Sequence, residues 1–89
     1  MVNKHIQVYG RVQGVGFRYF TATTAKALGI VGWVRNLGDG SVEIMARGSE
    51  DEMNAFLASM DEGPVFAYVE NLVVVDCAWS DSEKGFRIR

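Results

Sequence analysis

The chain alternates between two hydrophobic periods, and the order in which it does so admits few folds. Residues 5–9, His-Ile-Gln-Val-Tyr, alternate polar and apolar, with Ile6 and Val8 on one side of a strand. Phe17, Phe20, Thr21, Thr24 and Leu28 then recur at spacings of three and four, which predicts a helix, and Gly29 stands where a helix ends. Residues 31–36, Val-Gly-Trp-Val-Arg-Asn, read as a second strand. Residues 37–41 carry the Asp-Gly pair of a hairpin, and 42–47 read as a third strand with Val42, Ile44 and Ala46 on one face. Ser49 and Glu52 form an S-x-x-E capping box, followed by a buried stripe of Met53, Phe56, Leu57 and Met60. Glu50, Asp51 and Glu52 sit where a helix start favours negative charge, which accounts for them without a metal. Gly63-Pro64 stops this helix. Residues 68–76 are a β-branched run, 80–84 a polar turn, and Phe86 and Ile88 alternate with Arg87 and Arg89 in a short last strand.

The resulting order, β-α-β-β-α-β plus a short C-terminal strand, is two split βαβ units. It predicts an α+β, ferredoxin-like sandwich, with one antiparallel sheet and both helices on one face. With 89 residues the expectation is a single domain over 1–89, since a second core would be too small to stand alone. This fold hosts enzymes, RNA binders and regulatory modules, so it does not choose a function.

Composition removes several classes. No run approaches the roughly 20 apolar residues of a membrane span, and no apolar signal-peptide stretch follows Met1-Val2-Asn3-Lys4-His5. The one cysteine, Cys77, cannot form a disulfide within the chain. The expectation is a cytoplasmic protein with an inert thiol and no membrane association. The formal charge of −2 argues against general nucleic-acid binding. His5 and Cys77 are the only residues of their kinds, too few for a zinc site or a histidine-based triad.

The stretch from residue 10 to 18, Gly-Arg-Val-Gln-Gly-Val-Gly-Phe-Arg, joins the end of a strand to the start of a helix. Unpaired N–H groups and the positive end of the helix dipole meet there. Gly14 and Gly16 allow positive φ, so successive N–H groups can curl round one anion. Arg18, in the first helical turn, can grip two phosphate oxygens at once. The local reading is a cradle for one phosphoryl group, although similar glycine-containing turns also occur with nothing bound. Neither the Walker loop nor the dinucleotide fingerprint is present: no Lys-Ser or Lys-Thr occurs, and Gly14-Val15-Gly16 is followed by Phe17, Arg18 and Tyr19.

Residues 10–18 resemble the signature loop of the acylphosphatases, and Gly32-Trp33-Val34-Arg35-Asn36 resembles that family's Gly-Trp/Tyr-Val-x-Asn strand. The segment from Asp39 to Met60 and the closing Gly85-Phe86-Arg87-Ile88-Arg89 fit as well, so the resemblance spans essentially the whole chain. It implies hydrolysis of the carboxyl–phosphate bond of acyl phosphates to a carboxylate and inorganic phosphate. It further implies Arg18 and Asn36 as catalytic residues and a phosphate site formed by Gly14, Val15, Gly16, Phe17 and Arg18 within the 13–18 loop. No metal or cofactor is implied. The partner is then a small-molecule substrate, with no nucleic acid, and the protein is expected to be a monomer. Two departures stand out. Animal members commonly end in Ile-Arg-Tyr whereas this sequence ends at Arg89, which puts a role for a terminal carboxylate in doubt. Gly16 also replaces a bulkier residue of some relatives.

This chemistry suits the residues available. A carboxylate leaves without protonation, because its parent acid has a pKa of about 4. Asn36 is too weak a base to take a proton but can orient water in line with the leaving group. Alternation puts Gly32, Val34 and Asn36 on one face of their strand, with Asn36 at its end, able to approach a loop on the neighbouring strand. Arg11 and Arg35 either steer anions or are solvated surface residues. Gln13 either shapes the loop or is exposed. Phe17, Phe20 and the two tryptophans are expected to fill space.

Two other functions fit parts of the sequence. RNA-recognition domains share the element order, and Lys84-Gly85-Phe86 begins like their aromatic signature, but Arg87 and Ile88 break it and the third strand has no aromatic residue. The alternative to catalysis is a non-catalytic phosphate- or anion-binding regulatory module of the same fold, in which Asn36 would have no water to position.

Overall fold

A computed structural model describes residues 1–78 and 84–89. The elements are β1 (Val2–Arg11), α1 (Phe17–Leu28), β2 (Val31–Asn36), β3 (Val42–Gly48), α2 (Glu50–Glu62), β4 (Tyr68–Asp76) and β5 (Phe86–Ile88). They form one five-stranded sheet in the order β4-β1-β3-β2-β5. The polar turn expected at 80–84 and the expected filler Trp79 lie outside the described residues, apart from Lys84.

Three of the four strand pairings are antiparallel, as expected: β1 with β3, β1 with β4, and β2 with β3. The fourth corrects the sequence reading. β5 lies parallel to β2, with Gly32 opposite Phe86 and Val34 opposite Ile88, so the sheet is mixed. The cause is topological. β4 occupies one edge and β5 the other, so β5 does not pair with the strand before it in sequence.

Ile6 and Val8 of β1, Val34 of β2, and Val42, Ile44 and Ala46 of β3 point to one face and are fully buried. Phe17, Ala22 and Ala25 of α1 meet them from above, beside Met53, Phe56 and Met60 of α2. Each large side chain fully buried in this layer contributes about 1.5–3 kcal/mol. The inner stripe of α1 differs from the one expected. Ala22 and Ala25 are buried where Thr24 and Leu28 are only partly so, because small residues let the helix approach the sheet closely. Thr21 is buried among them and its hydroxyl donates to the Phe17 carbonyl at 2.9 Å.

The caps follow the sequence. Gly29 closes α1 with φ 79°. Ser49 and Glu52 form both bonds of the capping box, at 3.1 and 2.9 Å, and these bonds lower the Glu52 pKa. β1 is longer than the 5–9 stretch that alternates, since its ends are held by backbone pairing rather than by an apolar pattern. Among the described residues no helix is long and apolar enough to cross a membrane.

Candidate active site

Three strands set the position of Asn36. It pairs with Val42 of β3, which pairs in turn with Val8 of β1, so the three residues form one row across the sheet. Val8 and Val42 are fully buried on the helix-covered face. Asn36 shares that face at the end of β2 and brings an amide to the edge of the core. β1 is therefore not the strand next to β2, as the sequence reading had it. β3 lies between them, and the loop after β1 must pass over the end of β3 to reach Asn36.

Gln13 holds the loop in that position. Its Nε2 donates to the carbonyl oxygens of Leu37 at 2.7 Å and Ser41 at 2.9 Å, both in the β2–β3 hairpin. Of the two roles open to Gln13, it has the loop-shaping one. The neighbouring Val12 is buried in the core and anchors the start of the loop. Asp39 stiffens the hairpin from its other side by accepting from both the N–H and the hydroxyl of Ser41, which lowers its pKa.

Gly14 and Gly16 adopt φ 74° and 79°, the left-handed conformation that the cradle requires and that side chains disfavour. The Phe20 N–H donates to the Gly16 carbonyl at 3.0 Å, the first bond of α1. The N–H groups of Phe17, Arg18 and Tyr19 precede that bond and have no partner within the helix. Together with Gly14, Gly16 and Asn36 they surround a cavity of ≈ 200 Å³. That is below the usual range for drug-sized ligands and suits a small anionic group.

Arg18 is exposed at the mouth, and its Nη1 lies 3.5 Å from the Arg89 main-chain oxygen. This contact sets Arg89, just after β5, against Arg18. Arg89 is itself held by its N–H, 2.8 Å from the Val34 carbonyl, and by its guanidinium, 4.6 Å from the Trp33 ring centre.

Asn36 lines this cavity, and its Oδ1 is buried and has no hydrogen-bond partner among the described residues. Leaving a buried acceptor unpaired costs about 1–3 kcal/mol.

Of the residues expected in the site, Gly14, Gly16, Phe17, Arg18 and Asn36 line the cavity. Val15 does not line it, and its side chain packs against the core instead. Arg35 turns to the opposite face of the sheet, where it bonds Glu43 and lies over Trp33, so it belongs to the surface rather than the site. Sequence reasoning missed Val12, Tyr19 and Ile88, which also line the cavity. The β5 alternation carried a signal for Ile88, but nothing in the pattern marked Tyr19. Cys77 stands apart: burial and the Asp76 charge raise its pKa against the smaller opposing effect of Lys4, so it carries little thiolate.

A strand-to-helix glycine loop, an arginine in the first helical turn and a strand-end asparagine thus meet at one small cavity of an α+β domain. The family model that matches is Acylphosphatase, over residues 4–88. An acylphosphatase of Bifidobacterium longum is 48% identical, with 100% of this chain and 93% of the relative covered. One of Pasteurella multocida is 44% identical, with 100% and 99% covered. The crystal structure of acylphosphatase from Bacillus subtilis superimposes with a TM-score of 0.95 at 38% identity, covering 100% of this chain and 99% of that one. The chain belongs to the acylphosphatase family.

Proposed function

We propose that the protein hydrolyses acyl phosphates to a carboxylate and inorganic phosphate, without a metal, using Arg18 and Asn36 as its catalytic residues. One observation carries this reading: Asn36 lines the same small cavity as Arg18 and the glycine cradle. A module that only bound an anion would gain nothing from a water-orienting amide beside it. An amide there, with both donor and acceptor, suits a water molecule.

The phosphoryl group sits in the cradle of Gly14, Gly16, Phe17 and Arg18, with Val15 contributing its backbone N–H while its side chain stays against the core. The backbone N–H groups and the Arg18 guanidinium donate to its oxygens and stabilise the charge that they carry in the transition state. The Asn36 amide hydrogen-bonds a water molecule and orients it in line with the leaving carboxylate. The water's oxygen bonds to phosphorus as the bond from phosphorus to the acyl oxygen breaks, and the bonding pair leaves with the carboxylate. The water's proton passes to a phosphoryl oxygen. The leaving group needs no acid, its parent pKa being about 4. We place this activity in a cytoplasmic monomer acting on a small-molecule substrate.

The test separates the two residues. Arg18→Gln is expected to weaken binding of inorganic phosphate and to lower kcat by at least about 10²–10³-fold, the usual loss for one donor to a developing charge. Asn36→Ala is expected to lower kcat while keeping most phosphate binding. Loss of phosphate binding in a folded Asn36→Ala variant would show that the roles are wrongly divided. Activity that survives EDTA supports the metal-free mechanism, and activity abolished by EDTA contradicts it.

A further inference from the structure

The cavity has two chemical halves. One is the polar cradle with Arg18 and Asn36. The other is apolar: Val12 and Phe17, each 1% exposed, form its floor, while Tyr19 and Ile88 stand at its rim at 73% and 47% exposure. The floor residues belong to the hydrophobic core, so packing accounts for them. Packing does not account for the rim. Tyr19 is on the exposed side of the first turn of α1, one residue beyond Arg18, and Ile88 is on β5, the edge strand beside β2. Two large, water-exposed apolar side chains from separate elements thus converge on the mouth of a phosphoryl-sized cavity.

Resting on the reading of the site as an acyl phosphate hydrolase, we infer that Tyr19 and Ile88 form its acyl subsite and make it selective for acyl phosphates with an apolar or aromatic acyl group. With phosphate in the cradle, the acyl group projects toward the mouth, where the rim residues stand. An aromatic acyl group there removes its own apolar surface and that of Tyr19 and Ile88 from water. An acetyl group is too small to cover both. A hydroxylated or charged acyl group would lose hydration against two side chains whose exposed surface is mainly apolar.

The experiment compares kcat/KM for benzoyl phosphate and acetyl phosphate in the wild type, Tyr19→Ser, Tyr19→Phe and Ile88→Thr. The quantity read is the benzoyl-to-acetyl ratio within each protein, which a general loss of folded or active enzyme does not change. The expected result is a ratio lowered about tenfold in Tyr19→Ser and Ile88→Thr, the scale at which a hydrophobic pocket discriminates, with the ratio restored in Tyr19→Phe. A ratio that stays at the wild-type value in both Tyr19→Ser and Ile88→Thr would overturn the acyl subsite while leaving the hydrolase reading intact. A folded wild type that turns over neither substrate would overturn the hydrolase reading, and the subsite with it.

Discussion

Gln13 is the joint between the two halves of the site, and replacing it tests whether the site depends on that joint. Its two donated bonds, 2.7 Å to the Leu37 carbonyl and 2.9 Å to the Ser41 carbonyl, tie the cradle loop to the hairpin that follows Asn36. Each such bond contributes about 0.5–1.5 kcal/mol net. Both carbonyls keep a backbone partner when Gln13 is removed, Leu37 from the Gly40 N–H at 3.2 Å and Ser41 from the Leu37 N–H at 2.9 Å. The penalty for an unpaired buried acceptor is therefore avoided. Gln13→Ala is expected to cost about 2 kcal/mol, the sum of two ordinary bonds. Its effect on rate should exceed its effect on stability, because a displacement of about 1 Å between cradle and Asn36 can cost about 100-fold. Gln13→Glu removes both donors and sets a carboxylate against two carbonyl oxygens, so it should be at least as damaging as Gln13→Ala. Urea unfolding gives the stability, with an unchanged m-value showing that the compared states are the same. Benzoyl phosphate hydrolysis gives kcat. A Gln13→Ala protein within about 0.5 kcal/mol of wild type, the noise of an ordinary surface substitution, and with an unchanged kcat would refute the reasoning.

Two further predictions concern the sheet. Gly32 has φ 147°, and a methyl group there would overlap the Met45 carbonyl of β3, so Gly32→Ala should cost about 3 kcal/mol or more in urea unfolding, the upper end of the overpacking range. Glu43 accepts from His5 at 2.8 Å and from Arg35; burial raises its pKa, but these two partners outweigh burial and hold it below the ordinary 4.5. Its folded pKa lies below its unfolded one, so its contribution is complete above 4.5 and is lost as the pH falls through the folded value. Urea midpoints measured along the acid limb should therefore fall less steeply for Glu43→Gln than for wild type; parallel curves would show that the pair contributes nothing.

The sequence carried most of the architecture, because each helix is bounded by local chemistry that needs no tertiary context. Ser49 and Glu52 start α2, and Gly29 ends α1. The parallel pairing of β5 was not legible, since a three-residue strand carries no directional signal. Arg18 and the glycines could be found by their motif and by the φ they must adopt. That Asn36 reaches them across an intervening strand, through a loop pinned by Gln13, depends on sheet order, which local pattern does not encode. Tyr19 escaped for a different reason. An exposed aromatic residue has no period to betray it, and only the fold shows that it borders the cavity.

The central claim is that water, placed by Asn36, attacks the phosphorus atom held in the cradle. Hydrolysis of benzoyl phosphate in ¹⁸O-labelled water with EDTA present tests it directly, by mass spectrometry of both products from a single turnover. The account predicts label in the inorganic phosphate and none in the benzoate. Label in the benzoate would mean attack at the acyl carbon, which contradicts the roles of the cradle and of Asn36.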